Sequence, residues 1–171
     1  MRAWFGVVLV LTVLIAGCSR EPDSKDAQAD VGKSRAAVRA EVKDAAQVLT
    51  AAGWQISSLG GNFLTCGSGG LGAASLKYSA GGTVTGGEGT LDQRIRAVGR
   101  VLMDAGWKFR EVSQTGEGGR YSRLIRDGLA LAIDRDQLEG SQDFGFGVTG
   151  ECVEVTDEQA NQPRDSDRIV P

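Results

Sequence analysis

One interval organises this chain. Val38, Val42, Ala45, Leu49 and Ala52 lead into Gly53 and Trp54. Leu91, Ile95, Val98, Leu102 and Ala105 lead into Gly106 and Trp107, each 53 positions after its counterpart. Steps of four, three, four and three keep apolar side chains on one stripe of an α-helix. The spacing predicts two amphipathic helices that bury the same face and stop in the same way. Gly53 and Gly106 fall where a left-handed residue ends a helix at little steric cost. In a Schellman-type end the residue beyond the glycine folds back on the last turn. That pairs Trp54 with Leu49 and Trp107 with Leu102 and places both indoles in the core. A groove between the two halves, lined by Trp54 and Trp107, is the alternative use of the same residues.

The helix starts are less alike. Thr90-Leu91-Asp92-Gln93 fits a capping box and starts the second helix. The first is expected to begin at Asp30 or Ser34. After each tryptophan the pattern changes to strands. Trp54–Leu59 and Trp107–Val112 begin by alternating apolar with polar residues. Phe63–Cys66 and Tyr121–Arg126 follow, then Leu76–Tyr78 and Leu129–Leu131, the last pair again at the interval of 53. Asp127-Gly128 is a two-residue hairpin turn. A final strand, Phe144 to Val155, has no counterpart in the first half. The expected fold class is α+β: a mostly antiparallel sheet with two helices on one face, built as a pseudo-symmetric tandem helix–strand–strand–strand repeat plus a closing strand. The repeat is convincing at the helices and loose in the later strands.

The first 18 residues carry a different kind of information. Met1-Arg2 precedes an apolar run, and Ala3–Gly17 is only 15 residues long. A spanning helix needs about 20 apolar residues, so the segment reads as a signal peptide. An uncleaved anchor is the alternative, and it too puts the rest of the chain outside the cytoplasm. Ala16-Gly17 directly before Cys18 resembles the lipobox of bacterial lipoproteins. The resemblance implies that residues 1–17 are removed and that Cys18 is acylated. The Ala-, Gly- and Arg-rich body with one cysteine pair also looks like the small lipoproteins of actinobacteria, which have no shared diagnostic motif to carry over. Residues 18–33 then read as a lipidated flexible tether. A single domain is expected over 34–155, with halves of about 34–86 and 87–155. Residues 156–171 read as a disordered tail, since both flanks are too polar to build a core.

Two cysteines remain after Cys18. Cys66 and Cys152 are an even pair in an oxidising compartment, most simply a disulfide. A catalytic thiol is the weaker reading, because the chain contains no histidine to act as its base. The absence of histidine also removes imidazole ligands for zinc or haem and the Ser-His-Asp triad. Asp134, Asp136, Glu139 and Asp143 read as a solvated loop and do not match an EF-hand. The runs Gly67–Gly72, Gly81-Gly82 and Gly86-Gly87-Glu88-Gly89 lack the Lys-Ser/Thr of a P-loop and read as hairpin loops. No catalytic residues, metal ligands or cofactor are expected.

Without Arg2 the mature chain holds 18 basic against 22 acidic side chains, a net charge of −4. That balance speaks against a nucleic-acid partner. Arg35, Arg39 and Lys43 form a basic row on the first helix, and Arg96 and Arg100 another on the second. Either row has the chemistry to meet anionic lipid or wall polymer. Nearby Asp44, Asp92 and Asp104 favour a solvated face instead. The expectation is therefore a non-enzymatic extracytoplasmic lipoprotein on the cell membrane whose domain binds an envelope protein or a cell-wall component. The alternative is a carrier holding a small or apolar ligand between sheet and helices.

Overall fold

A computed structural model describes residues 24–66, 74–114, 120–135, 143–161 and 166–170. The signal segment, Cys18, the run Gly67–Gly72, and Asp136 and Glu139 lie outside them. The chain order is α1 (Ser24–Ala51), β1 (Gln55–Thr65), β2 (Ser75–Thr85), α2 (Leu91–Asp104), β3 (Lys108–Gln114), β4 (Arg120–Arg126), β5 (Leu129–Arg135), β6 (Phe144–Thr149), β7 (Val153–Glu154), α3 (Asp157–Asn161) and β8 (Asp167–Arg168). The strands form one sheet in the order β3-β4-β5-β6-β2-β1-β8, with β7 also paired to β2. Every pairing among them is antiparallel. The class is α+β.

The two helices end alike. At α1 the Trp54 amide donates to the Leu49 carbonyl at 3.0 Å and the Gly53 amide to Thr50 at 3.0 Å. At α2 the Trp107 amide donates to Leu102 at 3.1 Å and the Gly106 amide to Met103 at 3.0 Å. Gly53 (φ 90°) and Gly106 (φ 98°) supply the left-handed residue that both endings need. The α2 start is a full capping box: the Gln93 amide donates to Thr90 Oγ1, and the Thr90 amide to Gln93 Oε1.

The predicted stripes supply the helical half of the core except at their ends, where Ala52 is exposed and Leu91 and Ala105 are half-buried. Val38, Val42, Ala45 and Leu49 are fully buried, as are Val98 and Leu102, and Ile95 nearly so. They join Tyr78, Ala80 and Val84 of β2, Phe144, Phe146 and Val148 of β6, Leu129, Leu131 and Ile133 of β5 and Leu124 of β4 in one apolar cluster. Register explains why one sheet face is apolar. Val84 faces Phe144, Ala80 faces Val148, Leu131 faces Val148 and Leu124 faces Leu131 across successive strands. With a side-chain period of two, one register therefore commits every strand. The buried face of α2 also holds Arg94, whose guanidinium lies 5.5 Å from the centre of the Phe144 ring.

Gly81-Gly82, expected in a hairpin loop, lies inside β2, and the expected final strand Phe144–Val155 is interrupted at 150–152 into β6 and β7. Three more expectations need correction. The first half carries two strands after its helix, not three, because Gln55–Thr65 is one continuous strand. Gly60-Gly61 looks like a break in sequence but lies inside it, next to a bulge at Ser58, whose φ is 56°. Gly61 is there for close approach: a Cβ would overlap the Tyr78 ring and hydroxyl. Second, α1 begins by Ser24 rather than at Asp30 or Ser34, so residues 24–33 are helix rather than tether. Ala27 (3 % exposed) and half-buried Val31 and Ser34 continue the stripe N-terminally, in residue types that read as polar linker. Third, the stretch expected to be a disordered tail contains α3 and β8, and Ile169 within it is 2 % exposed. Two alternating inward positions, Asp167 and Ile169, suffice to dock it.

Cys66 and Cys152 are joined by a disulfide, with Cα atoms 6.1 Å apart. Cys66 sits just past β1, its amide bonded to the Ser75 carbonyl, and Cys152 lies between β6 and β7. The bond ties the end of the β1–β2 hairpin to the closing segment.

Candidate functional site at the sheet edge

The docked C-terminal segment makes the most developed polar site among the described residues. It is built on β1, which would otherwise be the sheet's last strand. Gly60 pairs with Arg168 and Gly61 with Asp167. The Ile169 amide then donates to the Leu59 carbonyl at 2.9 Å. Alternation along the segment turns Asp167 and Ile169 inward and leaves Ser166, Arg168 and Val170 exposed.

Asp167 is clamped from three directions. The Tyr78 hydroxyl donates to its Oδ2 at 2.8 Å. Arg35 Nη2 lies 2.5 Å and Arg39 Nη1 3.1 Å from the same oxygen. Each element has a reason to be there. Arg35 and Arg39 are four apart on α1 and therefore share one helix face. Tyr78 belongs to β2, is 1 % exposed, and packs edge-on against Phe63 with ring centres 4.9 Å apart. Its hydroxyl reaches β8 because Gly61, the residue paired with Asp167, has no side chain in the way. The Arg35 guanidinium also lies 5.9 Å from the Tyr78 ring centre.

The electrostatics follow from that geometry. Burial works to raise the Asp167 carboxyl, but hydrogen bonds from Arg35 and Tyr78 and the two guanidinium charges outweigh it and hold the group below its ordinary value of 3.8. Burial, and then the neighbouring carboxylate, push the Tyr78 hydroxyl above its ordinary value, so it remains a donor. Arg35 is held above its ordinary value chiefly by its hydrogen bond to Asp167. A depressed carboxylate contributes stability above its unfolded value and loses it as pH falls through the folded one. Docking of 166–170 should therefore hold at neutral pH and weaken in acid, as pH falls below the ordinary carboxylate range and through the lowered value of Asp167. Amide exchange of Ile169 measures this. Its protection should collapse in acid before that of the β2–β6 core, and Asp167→Asn should weaken it at neutral pH. Equal protection in the two proteins at pH 7 would refute the clamp.

Two depressions flank the docked segment. One, of about 610 Å³, is lined by Ser58–Asn62, Ser79–Gly81, Gly147 and Ser166–Arg168. The other, of about 340 Å³, is lined by Ile56–Leu59 and Arg168–Val170. A third, along α1, runs between Gly32, Arg35, Ala36, Arg39, Ala40 and Lys43. The whole basic row of the first helix lines this groove, and Arg35 and Arg39 in addition hold Asp167. Arg96 and Arg100 are exposed on α2.

A second charged network lies between the helices and β4. Arg126 Nε donates to Glu41 Oε2 at 2.8 Å, Nη2 bonds Glu41 and, at 2.6 Å, Asp44, and Nη1 donates to the Ala105 carbonyl at 3.1 Å. Its guanidinium covers the Trp107 ring at 4.6 Å. It serves α1, the end of α2 and the sheet together, which is a bracing arrangement. Trp54 (8 % exposed) and Trp107 (2 %) both belong to the core cluster. Trp54 meets Phe144 edge-on at 6.1 Å. Neither indole lines any of the three depressions described above.

Sequence reasoning singled out Arg35 and Arg39 but missed Tyr78 and Asp167, which come from distant stretches with no shared motif. The one local signal was the alternation Asp167-Arg168-Ile169-Val170. No protein-family model, curated protein or solved structure matches the chain.

Proposed function

We propose that this protein is a non-enzymatic binding module of the bacterial cell envelope, held on the outer side of the cell membrane by an acylated Cys18 and engaging an envelope protein through the β1 edge. The signal-like start and Ala16-Gly17-Cys18 support the address. Among the described residues, no helix is long and apolar enough to cross a membrane. One observation carries the binding reading: β1 already accepts an extended segment, and it does so with a dedicated carboxylate clamp. A sheet edge that takes a strand is a recurring peptide-recognition device, with main-chain hydrogen bonds supplying affinity and side-chain pockets supplying specificity. The space between helices and sheet is filled by a continuous apolar cluster, which favours this reading over a ligand carrier.

The address is tested by replacing Cys18 with Ser. Native protein should partition into detergent at a mass raised by acyl chains and lacking residues 1–17. The variant should lose the acyl mass and the partitioning, since stable attachment takes two chains. Acylated, membrane-bound Cys18→Ser protein would overturn the lipid anchor.

A further inference from the structure

We infer that the β1 edge is a receptor groove for an extended segment of another polypeptide bearing a carboxylate side chain and, two residues later, a β-branched aliphatic one, and that residues 166–170 occupy this groove in cis as a displaceable placeholder. The inference rests on the binding-module reading above and names its ligand. The first observation is chemical. The site's preferences are shown by what sits in it. Arg35, Arg39 and Tyr78 converge on one carboxylate oxygen, and two residues on, Ile169 is 2 % exposed. The intervening Arg168 faces out, so the recognised pattern is acid, any residue, aliphatic.

The second observation is the mismatch in length. β1 is 11 residues long, yet β8 covers only Gly60 and Gly61, with Leu59 accepting one further bond. A two-residue strand is a weak competitor. An incoming segment that also pairs along Gln55–Ser58 gains main-chain hydrogen bonds that the cis segment does not make. The third observation is room. The depressions of about 610 and 340 Å³ lie on either side of the docked segment, and Arg168 lines both. Space beside 166–170 is thus left open to the side chains of an incoming segment. Together these features give a groove with a fixed anchor, unused edge and unused volume.

The test uses the full chain and a fluorescein-labelled peptide, Arg-Asp-Ser-Asp-Arg-Ile-Val, which copies residues 164–170. The double variant Asp167→Ala/Ile169→Asp frees the groove and leaves Arg35, Arg39, Tyr78 and β1 untouched. By fluorescence anisotropy it should bind the peptide at least tenfold more tightly than the native chain does. Changing the second Asp of the peptide to Asn should weaken binding at least tenfold, as should adding Arg35→Gln and Arg39→Gln to the receptor. If the freed variant does not fold, the native chain answers alone: excess peptide should accelerate amide exchange at Ile169 and leave the β2–β6 core unchanged. A folded, freed variant that ignores the peptide, or binds the Asn peptide equally well, overturns the proposal. So does a concentration-dependent dimer of the native chain that exchanges 166–170 between copies, since the occupant is then a second copy. A photocrosslinker at Ser57 of the membrane-bound protein separates the two levels. Crosslinks to an envelope protein from Gln47 on α1 and none from Ser57 overturn the groove and the β1 edge as the contact, and leave an envelope-binding module that uses another face.

Discussion

Alanine at Trp54 or Trp107 should destabilise the protein by about 3–5 kcal/mol, the range for buried large aromatics. Both rings sit in the same core cluster, at equivalent ends of the two helices. Chemical denaturation measures the loss, and a change below about 1 kcal/mol would remove the tryptophans from the core. The two sites should differ in their response to phenylalanine. The Trp107 indole N–H is buried without a partner. Leaving such a donor unpaired costs about 1–3 kcal/mol, so Trp107→Phe trades lost area against relief of that cost. It should fall within about 1.5 kcal/mol of the native protein, far from Trp107→Ala. Variants that stay folded should still bind peptide at the β1 edge, whose flanking depressions neither indole lines.

Loss of the Cys66–Cys152 bond should be comparably large. It closes a stretch with a sequence separation of 86. The chain-entropy relation assigns such a loop about 4–5 kcal/mol of stabilisation, an upper figure because unfolded chains retain structure. The double variant Cys66→Ala/Cys152→Ala, or native protein with reductant, should lose about 3–5 kcal/mol in urea. Intact mass after alkylation should show both thiols blocked until reduction. Two thiols that alkylate freely in native, unreduced protein would refute the bond.

The helical half of this molecule was legible because its signals are local and redundant. A stripe, a glycine and a tryptophan repeat at one interval, and a capping box marks one start. Each feature fixes only backbone conformation within a turn or two. The second hairpin was legible for the same reason: Asp127 and Gly128 both have positive φ, as that two-residue turn demands. Failures came where a residue served a distant partner. Gly60-Gly61 looked like punctuation, yet Gly61 is small because Tyr78, 17 positions away, passes beneath it. The start of α1 was hidden because Ala27 and Ser34 are too weakly apolar to register as a face. The carboxylate clamp was the least legible part. It joins positions 35, 39, 78 and 167, and its clamp is a meeting of one helix face, one strand and one returning segment. Composition read the last stretch as solvent-exposed, when a single carboxylate and a single isoleucine were enough to hold it.

The order of strands also sets the tempo of folding. Within each half, β1–β2 and β3–β4–β5–β6 pair with their immediate neighbours along the chain. The halves are joined along β2, which pairs with β6 and β7, and at the β2–β6 seam Ser79 meets Thr149 across 70 positions. Closing that loop rather than a hairpin of about ten residues costs roughly 1.5 kcal/mol more in chain entropy. Non-local pairing of this kind slows folding. Two helix-backed sheets can each form early, but both remain half-cores until β6 finds β2. Until then each presents an apolar strand edge to its neighbours in solution, and the seam decides between the finished fold and an aggregate.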